Sequence, residues 1–97
     1  MRAITLVVHG GAGTLRPEVA EACSLGIERA LAAGWAILEA GGSSRDACEN
    51  AIVVLEDDPS FNAGIGAHLN REGKAQLDAI LMDGASLKSG AVGAVER

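Results

Sequence analysis

Leu55-Glu56-Asp57-Asp58-Pro59-Ser60-Phe61-Asn62-Ala63-Gly64-Ile65-Gly66 is the stretch on which the fold turns, because helical patterning stops there and strand patterning begins. Pro59 disfavours helical geometry at Asp58, so a helix arriving from upstream finishes around Asp57. Glu56, Asp57 and Asp58 suggest a divalent-metal site, but they lack EF-hand spacing and have no paired His nearby, and solvated acids at a helix end are the simpler account. The loop itself is apolar at Phe61, Ala63 and Ile65, whereas loops normally stay polar unless their backbone groups find partners. Inward-facing carbonyls find such a partner in a hard cation. Asn62 adds an amide that both donates and accepts.

Working back from this loop, Ala47, Cys48, Ala51, Ile52 and Leu55 form the buried stripe of a helix that starts at Ser43 or Ser44. A serine hydroxyl there accepts from orphan backbone N–H groups, and Asp46 places negative charge near the positive helix end. Gly41-Gly42 ends an earlier helix that begins near Pro17 and carries Val19, Cys23, Ile27, Ala30, Leu31, Gly34 and Leu38 at helical spacing. Ahead of it, Ala3 to Val8 is a β-branched apolar run closed by His9-Gly10-Gly11-Ala12-Gly13, as expected of a buried first strand. That turn is no dinucleotide fingerprint, since the third glycine position holds Arg16. A lipase-type oxyanion loop opens similarly but needs a G-x-S-x-G elbow, and Gly84-Ala85-Ser86-Leu87-Lys88 lacks the final glycine. Taken alone, the turn reads equally well as a purely structural strand-to-helix connection.

Working forward, Ala67 to Asn70, a turn around Arg71-Glu72-Gly73, and Ala75 to Met82 predict a β-hairpin. Asp83-Gly84 signals the next turn, and Ala91 to Val95 a further short strand. Asp78 interrupts the apolar run Leu77 to Met82; if buried it requires hydrogen-bonding partners, which makes a structural role the simpler one. The expected class is α+β, with two antiparallel helices lying flat on a mainly antiparallel sheet.

The chain has 97 residues and a net charge of −5, so it amounts to one domain at most. Of its 47 hydrophobic residues 18 are Ala, and Trp35 and Phe61 are its only aromatics, so any core formed by this chain alone is thin. The eight Lys and Arg residues are scattered, which argues against a nucleic-acid partner. Apolar runs fall far short of the roughly 20 residues of a bilayer span. The start lacks the apolar core of a secretory signal, and a cytoplasmic protein is expected. Cys23 and Cys48 are isolated thiols that read as packing residues.

Together, His9-Gly10-Gly11-Ala12-Gly13, Leu55 to Pro59, Phe61 to Gly66, Leu77-Asp78-Ala79, Met82-Asp83-Gly84 and Gly90-Ala91-Val92 closely resemble the plant-type asparaginase and isoaspartyl peptidase family of N-terminal-nucleophile hydrolases. The resemblance runs in order over essentially the whole chain and implies that residues 1–97 are the N-terminal portion of a single domain, the start of an α subunit. It implies a four-layer αββα sandwich and a precursor that cuts itself before a Thr in a Gly-Thr-Val-Gly context. That Thr would hydrolyse L-asparagine and β-aspartyl peptides, with its own α-amine as base. Thr5 and Thr14 do not match the context, so no catalytic nucleophile is expected in these residues and the chain alone should be inactive. By resemblance, His9, Gly10 and Gly11 lie beside the nucleophile in a segment tied to self-cleavage, and Asn62 orients the nucleophile or its water. Leu55, Glu56, Asp58, Phe61, Ala63 and Ile65 would offer main-chain oxygens to a structural sodium ion, with no cofactor needed for the chemistry. Expected partners are the remaining α and β segments of the same precursor, small β-aspartyl substrates, and further αβ units in a homo-oligomer. A noncatalytic association module and a protein-cleaving threonine aspartase are the alternatives.

Overall fold

The computed structural model describes residues 3–96; Met1, Arg2 and Arg97, the ends of the segment expected to form part of one domain, lie outside the described residues. Helix α1 spans Pro17–Glu39 and α2 spans Ser44–Glu56. Pro17 opens α1, where its missing N–H costs nothing, and Gly41 at φ +82 turns the chain after α1. Ser43 caps α2 by accepting from the Asp46 N–H at 3.1 Å. The two helices form a hairpin whose buried faces are mostly small residues, Gly26, Ala30 and Gly34 on α1 and Ala47 and Ala51 on α2, with Leu55 the one large side chain. A Cβ on Gly34 would meet Leu6 Cδ2 at 2.8 Å and the Ala47 carbonyl at 3.1 Å, so the backbones approach as closely as the side chains permit.

The sheet departs from expectation at its first strand and at the Arg71 hairpin, and follows it at the strands expected within Ala75 to Met82 and at Ala91 to Val95. Ala3–Val8 is not a strand: it takes an extended course with Leu6 and Val8 half-buried and Val7 exposed, but no strand among the described residues pairs with it. A strand needs a neighbour to take up its N–H and C=O groups, and alternation alone does not supply one. The expected hairpin around Arg71 reduces to a single bridge, Leu69 to Ala75, with Asn70 Oδ1 accepting from the N–H groups of Glu72 and Lys74 at 2.9 and 3.1 Å. The regular hairpin lies later, where β1 (Leu77–Asp83) pairs antiparallel with β2 (Lys88–Val95), Asp83 opposite Lys88. A bulge falls between Leu77 and Ala79, and the Asp78 carboxylate accepts from the Ala94 N–H at 2.8 Å while Ala94 adopts φ +52. Asp78 is exposed, so it meets little burial cost, and this bond gives its carboxylate a partner across the bulge.

Nor do both helices lie flat on the sheet: α2 touches β1 lightly, and α1 does not reach it. The core is Ala30, Ala51, Leu55 and Phe61, with Val8, Cys23, Ile27 and Val54 packed around it. Cys48 and Ile52, expected in the buried stripe of α2, are exposed because the sheet that would cover them stands off. The accessible surface is 7344 Å², against about 5,200 Å² for an ordinary globule of this mass. The radius of gyration is 14.8 Å, where about 13 Å is usual for this length.

Candidate functional site

The loop after α2 is held tightly. Asp58 Oδ1 accepts from the Ser60 N–H at 2.9 Å, its Oδ2 lies 3.9 Å from Arg29 of α1, and its carbonyl accepts from the Phe61 N–H at 3.1 Å. The Ile65 N–H returns to the Glu56 carbonyl at 2.8 Å, closing the loop against the helix end. These bonds drive the Phe61 side chain inward, leaving it 7% exposed, while Asn62 and Ala63 remain at the surface.

The buried ring meets the first glycine bend. A Cβ on Gly10 would lie 3.0 Å from Phe61 Cε1 and 2.8 Å from Ile27 Cδ1, and a Cβ on Gly26 would lie 2.5 Å from Phe61 Cε2. Gly11 sits at φ +128, a conformation L side chains rarely adopt, and its N–H donates to His9 Nδ1 at 3.3 Å. The structure therefore brings His9, Gly10 and Gly11 alongside the loop carrying Asn62, across a long interval of sequence. The Asn62 amide bonds to no other described residue and is free to engage another group. Gly26 was missed by the sequence reading, although its spacing of four from Ala30 and eight from Gly34 was the available signal.

Among the described residues no group of three or more His, Cys, Asp or Glu side chains gathers to hold a metal. Main-chain oxygens are differently placed. The carbonyls of Phe61, Ala63 and Ile65 accept no backbone hydrogen bond from the described residues, while those of Leu55, Glu56 and Asp58 each accept from an N–H. Gly64 abuts the Glu56 carbonyl and Gly66 the Phe61 and Pro59 carbonyls, a cradle that any Cβ would fill. A donor set of neutral oxygens in a tight loop fits a hard monovalent cation.

A second feature is an apolar groove of about 350 Å³, walled by Leu6–His9 on one side and Ile80–Met82 on the other and floored by Cys48, Ala51, Ile52 and Leu55 of α2. Next to it, Arg45 at the start of α2 pairs with Asp83 at 3.8 Å. The Asp83 carboxyl is held below the usual carboxylate range, first by the Ser86 hydroxyl at 2.6 Å and then by the Ser86 N–H. No helix among the described residues is long and apolar enough to cross a membrane.

The His9-Gly10-Gly11 bend and the loop carrying Asn62 meet over the buried Phe61 ring. The sequence model described as Asparaginase matches residues 2–97, and the chain belongs to that family. It is 48% identical over 96 residues to the human isoaspartyl peptidase/L-asparaginase, covering 99% of this chain and 31% of the relative. It is 48% identical over 92 residues to the protein of the same name from Danio rerio, covering 95% and 30%. A plant-type L-asparaginase from Pyrococcus abyssi is 46% identical over 97 residues, covering 95% and 30%. The chain thus spans less than a third of the length of the curated relatives it matches.

Proposed function

We propose that this chain is the N-terminal portion of a threonine-nucleophile amidohydrolase that cleaves L-asparagine and β-aspartyl peptides after self-cleavage of its precursor. The observation that carries this reading is the contact of Phe61 with Gly10, which seats the Asn62 loop beside the His9-Gly10-Gly11 bend. In the reaction, a Thr hydroxyl supplied by the rest of the protein attacks the side-chain carbonyl carbon and its own α-amine takes the proton. The C–N bond then breaks, ammonia or a peptide amine leaves with that proton, and water hydrolyses the resulting ester. Asn62 orients the Thr or the water, and the glycine bend presents main-chain groups at the same place. A sodium ion, when bound, supplies fixed positive charge to the loop through the main-chain oxygens of Leu55, Glu56, Asp58, Phe61, Ala63 and Ile65.

In this reading residues 1–97 belong to one domain, and the helical hairpin is an outer layer of a four-layer αββα sandwich. Ile52 at 47% exposure and Ile80 at 74% are faces awaiting strands from the remaining α and β segments. The assembled αβ unit is cytoplasmic, forms a homo-oligomer and takes small β-aspartyl substrates. Ammonia and aspartate release by the full-length protein tests the proposal, with the 97-residue chain as the inactive control. Turnover by the 97 residues alone would refute the placement of the nucleophile elsewhere, and cleavage of a polypeptide in place of small substrates would favour a threonine aspartase. The exposed groove also supports a second reading, a noncatalytic association module. Binding of the 97-residue chain to the rest of the protein without hydrolysis would favour it.

A further inference from the structure

The bend and the Asn62 loop touch through one side chain. Opposite edges of the Phe61 ring abut Gly10 and Gly26, at 3.0 and 2.5 Å from where a Cβ would stand, so nothing intervenes between ring and backbone on either side. Gly10 is flanked on its other side by Ile27 Cδ1 at 2.8 Å, so the bend sits in a slot one glycine wide between Ile27 and Phe61. Gly11 and Gly13, by contrast, face open space, and neither fixes the bend through packing. The loop side of the ring is anchored too: the Phe61 N–H is bonded to Asp58, which is itself held by Ser60 and Arg29. The backbone of Phe61 then runs directly into Asn62.

We propose that Phe61 is a positioning residue for the reaction, its ring the spacer that seats Gly10 and so sets the His9-Gly10-Gly11 main chain at a fixed distance from Asn62. This rests on the reading above, in which bend and Asn62 flank the nucleophile. A displacement of about 1 Å at such a group costs up to roughly a hundredfold in rate, so a ring replaced by a shorter side chain should be felt in catalysis before binding.

The test uses the full-length protein with Phe61→Leu, Gly10→Ala and the double variant, measuring kcat and KM for L-asparagine per active site and amide hydrogen exchange across residues 9–13. Phe61→Leu and Gly10→Ala are each expected to lower kcat about ten- to a hundredfold with KM little changed, and to speed exchange at Gly10 and Gly11. The double variant should recover part of the loss of Gly10→Ala, since the shorter side chain removes the Phe61 contact at 3.0 Å while the flexible Ile27 Cδ1 at 2.8 Å remains. Unchanged kcat and exchange in the single variants, or losses that simply multiply in the double, would overturn the proposal. Should Phe61→Leu not fold, Gly10→Ala alone decides, and a normal kcat there overturns it. If the wild-type protein hydrolyses neither asparagine nor β-aspartyl peptides, the functional reading falls, while exchange at Gly10 still reports whether the ring seats the bend.

Discussion

Around α1, α2 and the loop to Gly66 the chain closes on itself: Ala30, Ala51, Leu55 and Phe61 are buried, Ser43 caps α2, and Asp58 ties the loop to α1. From Ala67 onward it makes a hairpin with correct pairing and no cover: β2 is exposed along its whole length, and Ile80, Met82 and Val92 are 74%, 56% and 56% exposed. Backbone hydrogen bonding is complete in itself in a hairpin, whereas burial is not; an isolated two-stranded ribbon is marginal in water unless something packs on a face. The contrast locates where the described residues cover their own apolar surface and where they leave it open.

The contrast is sharpest at Phe61. In urea unfolding of the full-length protein, Phe61→Ala should cost about 3–5 kcal/mol, the range for emptying a buried aromatic site. Gly26→Ala attacks the same contact from α1, where the new methyl would meet Phe61 Cε2 and Asp58 Oδ2 at 2.5 and 2.6 Å, and overpacking of this kind costs about 1–3 kcal/mol. If both substitutions were neutral, the helical half would not be the self-sufficient one. Ile80→Ala tests the other half. With the strand face covered in the full-length protein it should cost about 2–5 kcal/mol. A loss within about 0.5 kcal/mol, typical of open surface, would mean that β1 is bare there also and the comparison fails. A smaller effect belongs to Ala94, whose φ of +52 is unfavourable for an L side chain. Ala94→Gly should raise stability by up to about 1 kcal/mol, provided the Asp78 bond to its N–H persists.

Legibility in the sequence follows the same division. Ser43 as the cap, Pro17 at the first turn and the stop before Pro59 were readable because each depends on chemistry within a few residues. The strand expected at Ala3–Val8 was not, since its apolar alternation describes a face, and a ladder needs a second chain segment that these residues do not contain. Lys88–Gly90 carries no apolar signal yet pairs with Leu81–Asp83, because register is set by the turn from Asp83. At the candidate site, family resemblance placed His9, Gly10, Gly11 and Asn62, but nothing local marked Phe61 as the side chain between them. That role depends on which glycines of α1 and the bend face it, a property of packing.

The smallest expected effect concerns the β1–β2 turn, where the Asp83 carboxyl lies. Asp83 accepts from both the hydroxyl and the N–H of Ser86 and faces Arg45, and these favour its ionised form. Because its folded pKa is below the unfolded one, the stabilisation is present above the unfolded value and is lost as pH falls through the folded value. Ser86→Ala removes the leading cause, so the Asp83 titration followed by carboxyl NMR should move upward toward the ordinary range. The turn should then loosen at a higher pH than in the wild type, and with it the Arg45 contact at the start of α2, while the buried core around Phe61 makes no contact with this carboxylate. An unmoved Asp83 titration would shift the credit from the hydroxyl to the Ser86 N–H and Arg45, and a rise in Arg45→Gln would then identify the charge that links the exposed hairpin to the start of α2, where apolar packing is slight.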